Sequence, residues 1–115
     1  MTLGPPGKPS LWHKNPAVVL EYEIAQEKAS ALGRHGRALE AALKVLADFD
    51  TADPPRSGDV RSARGTLVAS AADALWQFIV VREACGMRDA GPVMRMYKVP
   101  TEVRDRMGVF APKRG

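Results

Sequence analysis

Apolar and small side chains recur along the chain at alternating spacings of three and four, in two long blocks. In the first, from Asn15 to Asp50, one seam runs through Val18, Tyr22, Ala25, Ala29, Leu32, Gly36, Leu39, Leu43 and Leu46. That alternation is the signature of a helix that buries one stripe. A second stripe runs beside it through Leu20, Ile24, Ala31, Ala38, Ala42, Val45 and Phe49. The apolar face is therefore wider than a two-stranded zipper needs. Asn15 can cap the first free amides, and Pro16 suits the first helical position because its missing N–H costs nothing there. The pattern predicts a helix over residues 16–49. Gly33 and Gly36 each cost about 1 kcal/mol relative to Ala in a helix interior. The seam nevertheless passes through them in phase, whereas a turn would reset it. One continuous helix is expected, with the glycines where another backbone comes close.

The second block carries its seam on Val60, Ala63, Leu67, Ala71, Ala74, Phe78, Val81 and Cys85. It predicts a helix over residues 59–85, opened by Ser57 or Asp59 and closed by Gly86. The connection, TADPPRSG over residues 51–58, cannot continue a helix, because Pro54-Pro55 blocks it and Ser, Gly and Asp supply turn chemistry. The two seams align as an antiparallel hairpin. Leu43 falls opposite Leu67, Leu39 opposite Ala71, Gly36 opposite Ala74, Leu32 opposite Phe78, Ala29 opposite Val81 and Ala25 opposite Cys85. Leu39 with Ala71 and Ala29 with Val81 set a large residue against a small one, as interdigitating layers require. Glu27 comes level with Arg82, so an ion pair is expected there or with Glu23.

From Ala71 to Val81 the second helix is apolar on nearly every side. A helix of that kind is surrounded, and one neighbour cannot surround it. Part of the cover is expected from Val93, Met94, Met96, Tyr97 and Val99. The rest is expected from a second copy, pairing two hairpins into a four-helix bundle; a hetero-partner's helix pair is the alternative. Asp89-Ala90-Gly91-Pro92 reads as a turn, and residues 101–107 as a short helix with Pro100 near its start. The predicted fold is all-α: a long antiparallel hairpin with a short C-terminal helix. Residues 1–14 form a flexible arm anchored by Leu11 and Trp12, residues 15–110 a single helical domain, and residues 111–115 a frayed tail. Val109 and Phe110 are expected to dock back.

Composition changes this picture little. Apolar content of 45% and charged content of 26% are those of an ordinary globular chain. No apolar run is long enough to span a bilayer, and the start lacks the apolar core of a secretory signal. One cysteine excludes an internal disulfide framework and fits a reducing cytoplasm. The net charge of +4 is uneven: residues 82–115 carry eight basic and four acidic side chains, whereas residues 15–50 carry four and six. Basic ends can attract phosphate or an acidic partner; solvated segments are the simpler reading.

Candidate chemistry is sparse. His13 and His35 have no carboxylate at metal-ligand spacing, and the Glu-x-x-His pairs of a di-metal bundle are absent. Asp48, Asp50 and Asp53 lack the glycine and closing glutamate of a calcium loop, and read as helix-end and turn residues. Cys85 lies near Arg82 and Arg88, but a helix C-terminus disfavours a thiolate, so it reads as a packing residue. No phosphate loop, nucleophile triad or zinc spacing is present. The charge-dense string Arg82–Asp89 is the most distinctive stretch. With Glu23, Glu27, Arg82, Glu83, Arg88 and Tyr97 it suggests a junction where a partner or small ligand docks, or a salt-bridged joint pinning the C-terminal segment.

In this string, in LEYEIAQEKASALGR (Leu20–Arg34) and in YKVPTEVRDRMG (Tyr97–Gly108), the chain resembles a small bacterial family of uncharacterised helical proteins. The likeness covers most of residues 17–108. It implies a helical, cytoplasmic protein and transfers no functional residue. The expected role is that of a non-enzymatic, homodimeric interaction module without cofactor, metal or membrane. The alternatives are a nucleic-acid-associated accessory protein using the basic C-terminal third, and a small-ligand binder at the 82–89 junction.

Overall fold

The computed structural model describes residues 15–52 and 58–110, with side chains described as far as Met107. The expectations for residues 1–14, Asp53, Pro54-Pro55, Ser57 and residues 111–115, and for the side chains of Val109 and Phe110, lie outside the described residues. Four helices follow in order: α1 Pro16–Asp50, α2 Val60–Ala84, α3 Gly91–Met96 and α4 Thr101–Phe110. Helix takes up 83% of the described residues, and there is no strand among them.

α1 is one unbroken helix of 35 residues, about 50 Å long at 1.5 Å per residue. Its start follows the cap chemistry: the Asn15 Oδ1 accepts a hydrogen bond of 3.1 Å from the Ala17 N–H, with Pro16 in the first turn. Both glycines lie inside it, as the unbroken phase of the seam requires. What approaches Gly36, however, is not backbone. The Tyr97 hydroxyl and the Phe78 ring lie 2.9 and 3.5 Å from where a Cβ would stand.

α2 starts at Asp59, whose Oδ1 accepts from the Ser62 N–H at 3.0 Å. It returns antiparallel along α1, since Arg64 near its start meets Asp50 and Phe78 near its end meets Gly36. Both α2 partners lie four residues past the level positions, 60 and 74, one turn toward the α2 C-terminus from the alignment of the seams; long helical side chains lean back toward their own N-terminus and span part of that offset. Gly86 ends α2 at φ 89°. The Met87 N–H donates to the Arg82 carbonyl at 2.8 Å and the Gly86 N–H to the Glu83 carbonyl at 2.9 Å, the paired bonds of a Schellman cap.

The core combines Leu39 and Leu46 of α1 with Val68, Ala71, Ala72, Leu75, Phe78 and Ile79 of α2, and with Val93 and Val103 from the C-terminal segment. The α2 residues cover roughly a third of its circumference at 100° per residue. Part of the expected cover does come from beyond Gly86: Met94, Tyr97 and Val99 pack on the core beside buried Val93. Met96 does not, being 75% exposed. α3 is only six residues long, and Val93 and Tyr97, one turn apart, hold its inward face; Met96 falls about 60° from Val93 and about 100° from Tyr97, on the outer side. Two further departures concern this segment. The turn read at Asp89–Pro92 opens α3, the Asp89 Oδ1 accepting from the Gly91 N–H at 2.9 Å. The last helix runs on to Phe110, and its Val103 is fully buried.

The pairing of α1 and α2 is shorter than the seams suggest. Every residue from Glu21 to Ser30 is exposed, so Ala25 and Ala29 are not covered by Cys85 and Val81. After Ala84 the chain turns into α3, and among the described residues nothing replaces α2 along the first half of α1.

Candidate functional site

Three features sit on this frame: an aromatic joint, a triad of charges beside a cleft, and an uncovered helix face. In the joint, the rings of Phe78 and Tyr97 meet edge to face, with centroids 5.6 Å apart and planes at 83°. Gly36 leaves the space that both rings use. Arg82 lies over the other side of the cluster, its guanidinium 5.9 Å from the Phe78 centroid. The Arg82 Nη2 donates to the Asp89 carbonyl at 2.9 Å. Arg82 is therefore engaged with its own C-terminal turn instead of with Glu27 or Glu23, and the expected ion pair is replaced by a cation over an aromatic face.

The charged triad joins three helices. Arg64 donates to Asp50 from Nε at 2.7 Å and from Nη2 at 3.0 Å. The same guanidinium donates to Glu102 from Nη1 at 2.7 Å and from Nη2 at 2.6 Å. Fork-to-fork geometry is the strong form of the Arg–carboxylate pair. Here one fork grips the end of α1 and the start of α4 together. The hydrogen bonds from Arg64 hold the carboxyls of Asp50 and Glu102 below their ordinary values. Those to Glu102 and Asp50 in turn raise the guanidinium of Arg64 further. Asp50, read above as a helix-end residue, is a tertiary ion-pair partner; Asp48 pairs locally with Lys44 at 3.1 Å.

The triad lines one side of an open cleft of about 600 Å³, whose other walls include Leu43, Leu46, Tyr97, Pro100, Glu40 and Lys98. Lys98 adopts φ 52°, a left-handed conformation that a non-glycine residue enters at a cost of roughly 1–2 kcal/mol. It closes α3 with a second Schellman cap, the Val99 N–H donating to the Met94 carbonyl at 3.0 Å.

The six residues singled out from sequence do not converge. Tyr97 and Arg82 meet through Phe78. Glu83 and Arg88 line a separate shallow depression with Val80 and Ala84. Glu23 and Glu27 lie on the exposed half of α1 with Gln26, Ala29 and Ser30. The residues that sequence reasoning missed are Arg64, Glu102 and Lys98. The one signal available was that Asp50 and Arg64 flank the hairpin turn with opposite charge. No helix among the described residues is long and apolar enough to cross a membrane.

The third feature is the second apolar stripe of α1. Leu20 is 56% exposed, Ile24 45% and Val45 50%; Ala38 is exposed, and Ala31, Ala42 and Phe49 are half-buried. Scattered single apolar residues are ordinary on a protein surface, and larger exposed patches mark interaction sites; here Leu20, Ile24 and Val45 share one side of α1, with Ala42 between them packed on the core. No curated protein and no solved structure matches the chain. A family model does match, over residues 13–114, and the chain belongs to that family of unknown function, DUF6665.

Proposed function

We propose that this protein is a non-enzymatic helical interaction module that pairs with a second copy of itself, its docking surface being the uncovered stripe of α1. The observation that carries the reading is the exposure of Leu20, Ile24 and Val45 along one side of α1, a helix whose other seam enters the core only from Leu32 onward. Burying one such side chain is worth about 1.5–3 kcal/mol, and a helix apolar on two sides needs two neighbours. α2 supplies one. Pairing of two hairpins, with the stripes toward each other, produces a four-helix bundle with closed two-fold symmetry. Among the described residues no group is arranged for a particular reaction, and the exposed apolar side chains of α1 favour recognition.

Light scattering on the full chain tests this. The expected result is a mass rising with concentration toward about twice the 12.5 kDa of the chain. Replacing Ile24 by Glu should return it toward the single-chain mass with helical content unchanged. A mass that stays at one chain across the accessible concentration range would remove the proposal.

A further inference from the structure

We infer that the surface through which two copies meet is a two-helix face, built by α1 and α2 together on the side of the hairpin away from α3 and α4. This rests on the self-pairing reading above and adds to it the α2 half of the surface. The face follows from the positions beside the inward row of each helix. On α1 that row is Leu32, Gly36, Leu39, Leu43 and Leu46. On α2 it is Arg64, Ala71, Leu75, Phe78 and Arg82, fixed by the contacts of Arg64 with Asp50 and of Phe78 with Gly36. One residue turns about 100° around a helix. The residue after each row member therefore lies on one flank, and the residue before it on the other. Two antiparallel helices in contact are related by a two-fold axis perpendicular to both, so matching flanks share one side of the hairpin.

The two sides differ in cover and in charge. On the following flank, Ala72 and Ile79 of α2 are buried, and α4 packs on that helix. Glu40, Lys44 and Ala47 of α1 line the cleft with Lys98, Pro100 and Glu102. The C-terminal segment therefore occupies this side, which also carries Arg37 and Glu83. The preceding flank is open. On α1, Ala38 and Val45 are exposed, and Ala31, His35 and Ala42 are half-buried. On α2, Ala63, Ser70 and Gln77 are exposed, and Ala74 and Val81 are half-buried. None of them is Asp, Glu, Lys or Arg. Ala42 and Ala74 pack inward on the core, so small side chains floor the seam between the helices.

Both properties fit a second copy. A two-fold contact sets one surface against itself, and a charge near the axis would meet its like, which is unfavourable. A face without charges avoids that, whereas a partner recognised by complementary charge would find nothing to pair with. From Ala63 to Val81 the open flank of α2 is about 27 Å long. At the width of two helices, roughly 20 Å, the face covers about 540 Å² on each copy. The total of roughly 1,100 Å² clears the ~1,000 Å² expected of a biological interface. The α1 stripe alone, half as wide over the same length, falls short, so α2 has to take part.

Ser70 tests the α2 half, because it is exposed in the single chain and lies outside the α1 stripe. Light scattering over a concentration series is run on the full chain and on Ser70→Glu, Ala38→Glu and Ala47→Glu. The first two should each weaken association by about tenfold or more, with helical content in dilute protein unchanged. Ala47→Glu, on the cleft side, should leave it within about twofold. A Ser70→Glu chain that associates like the parent overturns the inference. If Ala38→Glu still dissociates in that case, the surface is confined to α1 and the self-pairing reading stands. Ala47→Glu acting as strongly as Ser70→Glu would place the contact on the C-terminal side and also overturn it. A single-chain mass for the parent at every concentration removes both readings. Thiol labelling gives a second readout that adds no charge. In a Cys85→Ser background, Ser70→Cys should react with a maleimide about threefold more slowly where the mass has doubled than in dilute protein. An unchanged rate there overturns the inference.

Discussion

The two halves of α1 have nearly the same apolar periodicity and opposite fates. From Ala31 to Asp50 the seam is in the core: Leu39 is fully buried and Leu46 is 2% exposed. From Glu21 to Ser30 the same seam, through Tyr22, Ala25 and Ala29 with the same three-and-four spacing, is exposed. The difference does not lie in helix propensity or in the seam, because the helix is continuous and Asn15 caps it. It lies in what stands opposite. The second half meets α2 along its length and is locked by Tyr97 at Gly36 and by Arg64 at Asp50. The first half extends past the end of α2. A periodic seam states that a helix has a face to bury, and it does not state which molecule supplies the cover.

Truncation at matched positions is the most forceful test of that contrast. Leu39→Ala should destabilise the fold by about 2–5 kcal/mol, the range for removing a buried Leu side chain where the surroundings relax only partly. Ile24→Ala should stay within about 0.5 kcal/mol in dilute solution, as surface substitutions do. Urea unfolding of both variants at low protein concentration reads the difference. Repeating Ile24→Ala at high concentration sharpens it, because a cost that appears only where copies pair is mass action on association. Equal losses at both positions in dilute protein would mean that the first half is covered within one chain.

Gly36 and Gly33 repeat the contrast on a smaller scale. Each gains about 1 kcal/mol of helix propensity on replacement by Ala. At Gly36 the new methyl would stand 2.9 Å from the Tyr97 hydroxyl, and overpacking of a rigid ring costs about 1–3 kcal/mol. Gly36→Ala should therefore lose up to about 2 kcal/mol. The same change made after Tyr97→Phe, which deletes the clashing oxygen, should recover toward a gain. At Gly33 the nearest group is the Arg37 guanidinium at 3.2 Å, the end of a flexible side chain that can swing away. Gly33→Ala should stabilise by about 1 kcal/mol. Thermal melts of the four variants close the cycle, and a destabilised Gly33→Ala would show that Arg37 is not free to move.

These particular residues also show how far the sequence could be read. The hairpin was legible because two seams of constant period constrain each other through the turn. The end of α2 was legible because Gly86 announces a left-handed cap. The end of α3 uses the same cap with Lys98, and a lysine gives no such signal. α3 itself spans six residues, too few for a period to show, so Asp89 and Pro92 read as a turn and Met96 as core. The candidate site was hardest. Arg64 and Glu102 are 38 residues apart, and no local pattern couples them. Glu23 and Glu27 were grouped with Arg82 on the assumption that α2 covers all of α1, and that grouping fails where the cover stops.

The triad offers the smallest expected effect, and it tests what fastens the covered half. Arg64 lowers the carboxyls of Asp50 and Glu102 from their ordinary values of 3.8 and 4.5. A carboxyl that is more acidic in the folded state contributes stability that is fully present above its ordinary value and is lost as the pH falls through the lowered one. The contribution is therefore complete at neutral pH and fades below about 4.5, as the two carboxyls take up protons. The three side chains are 32 to 49% exposed, so water and salt screen the attraction and the effect stays well below that of Leu39→Ala. Arg64→Met keeps the apolar stem and removes the fork. Its melting temperature should lie below that of the parent at neutral pH, and the gap should narrow as the pH is taken from 6 toward 3 or as salt is raised to 1 M. A gap that persists unchanged at pH 3 would mean that Arg64 holds α4 through its packed stem and not through its charge.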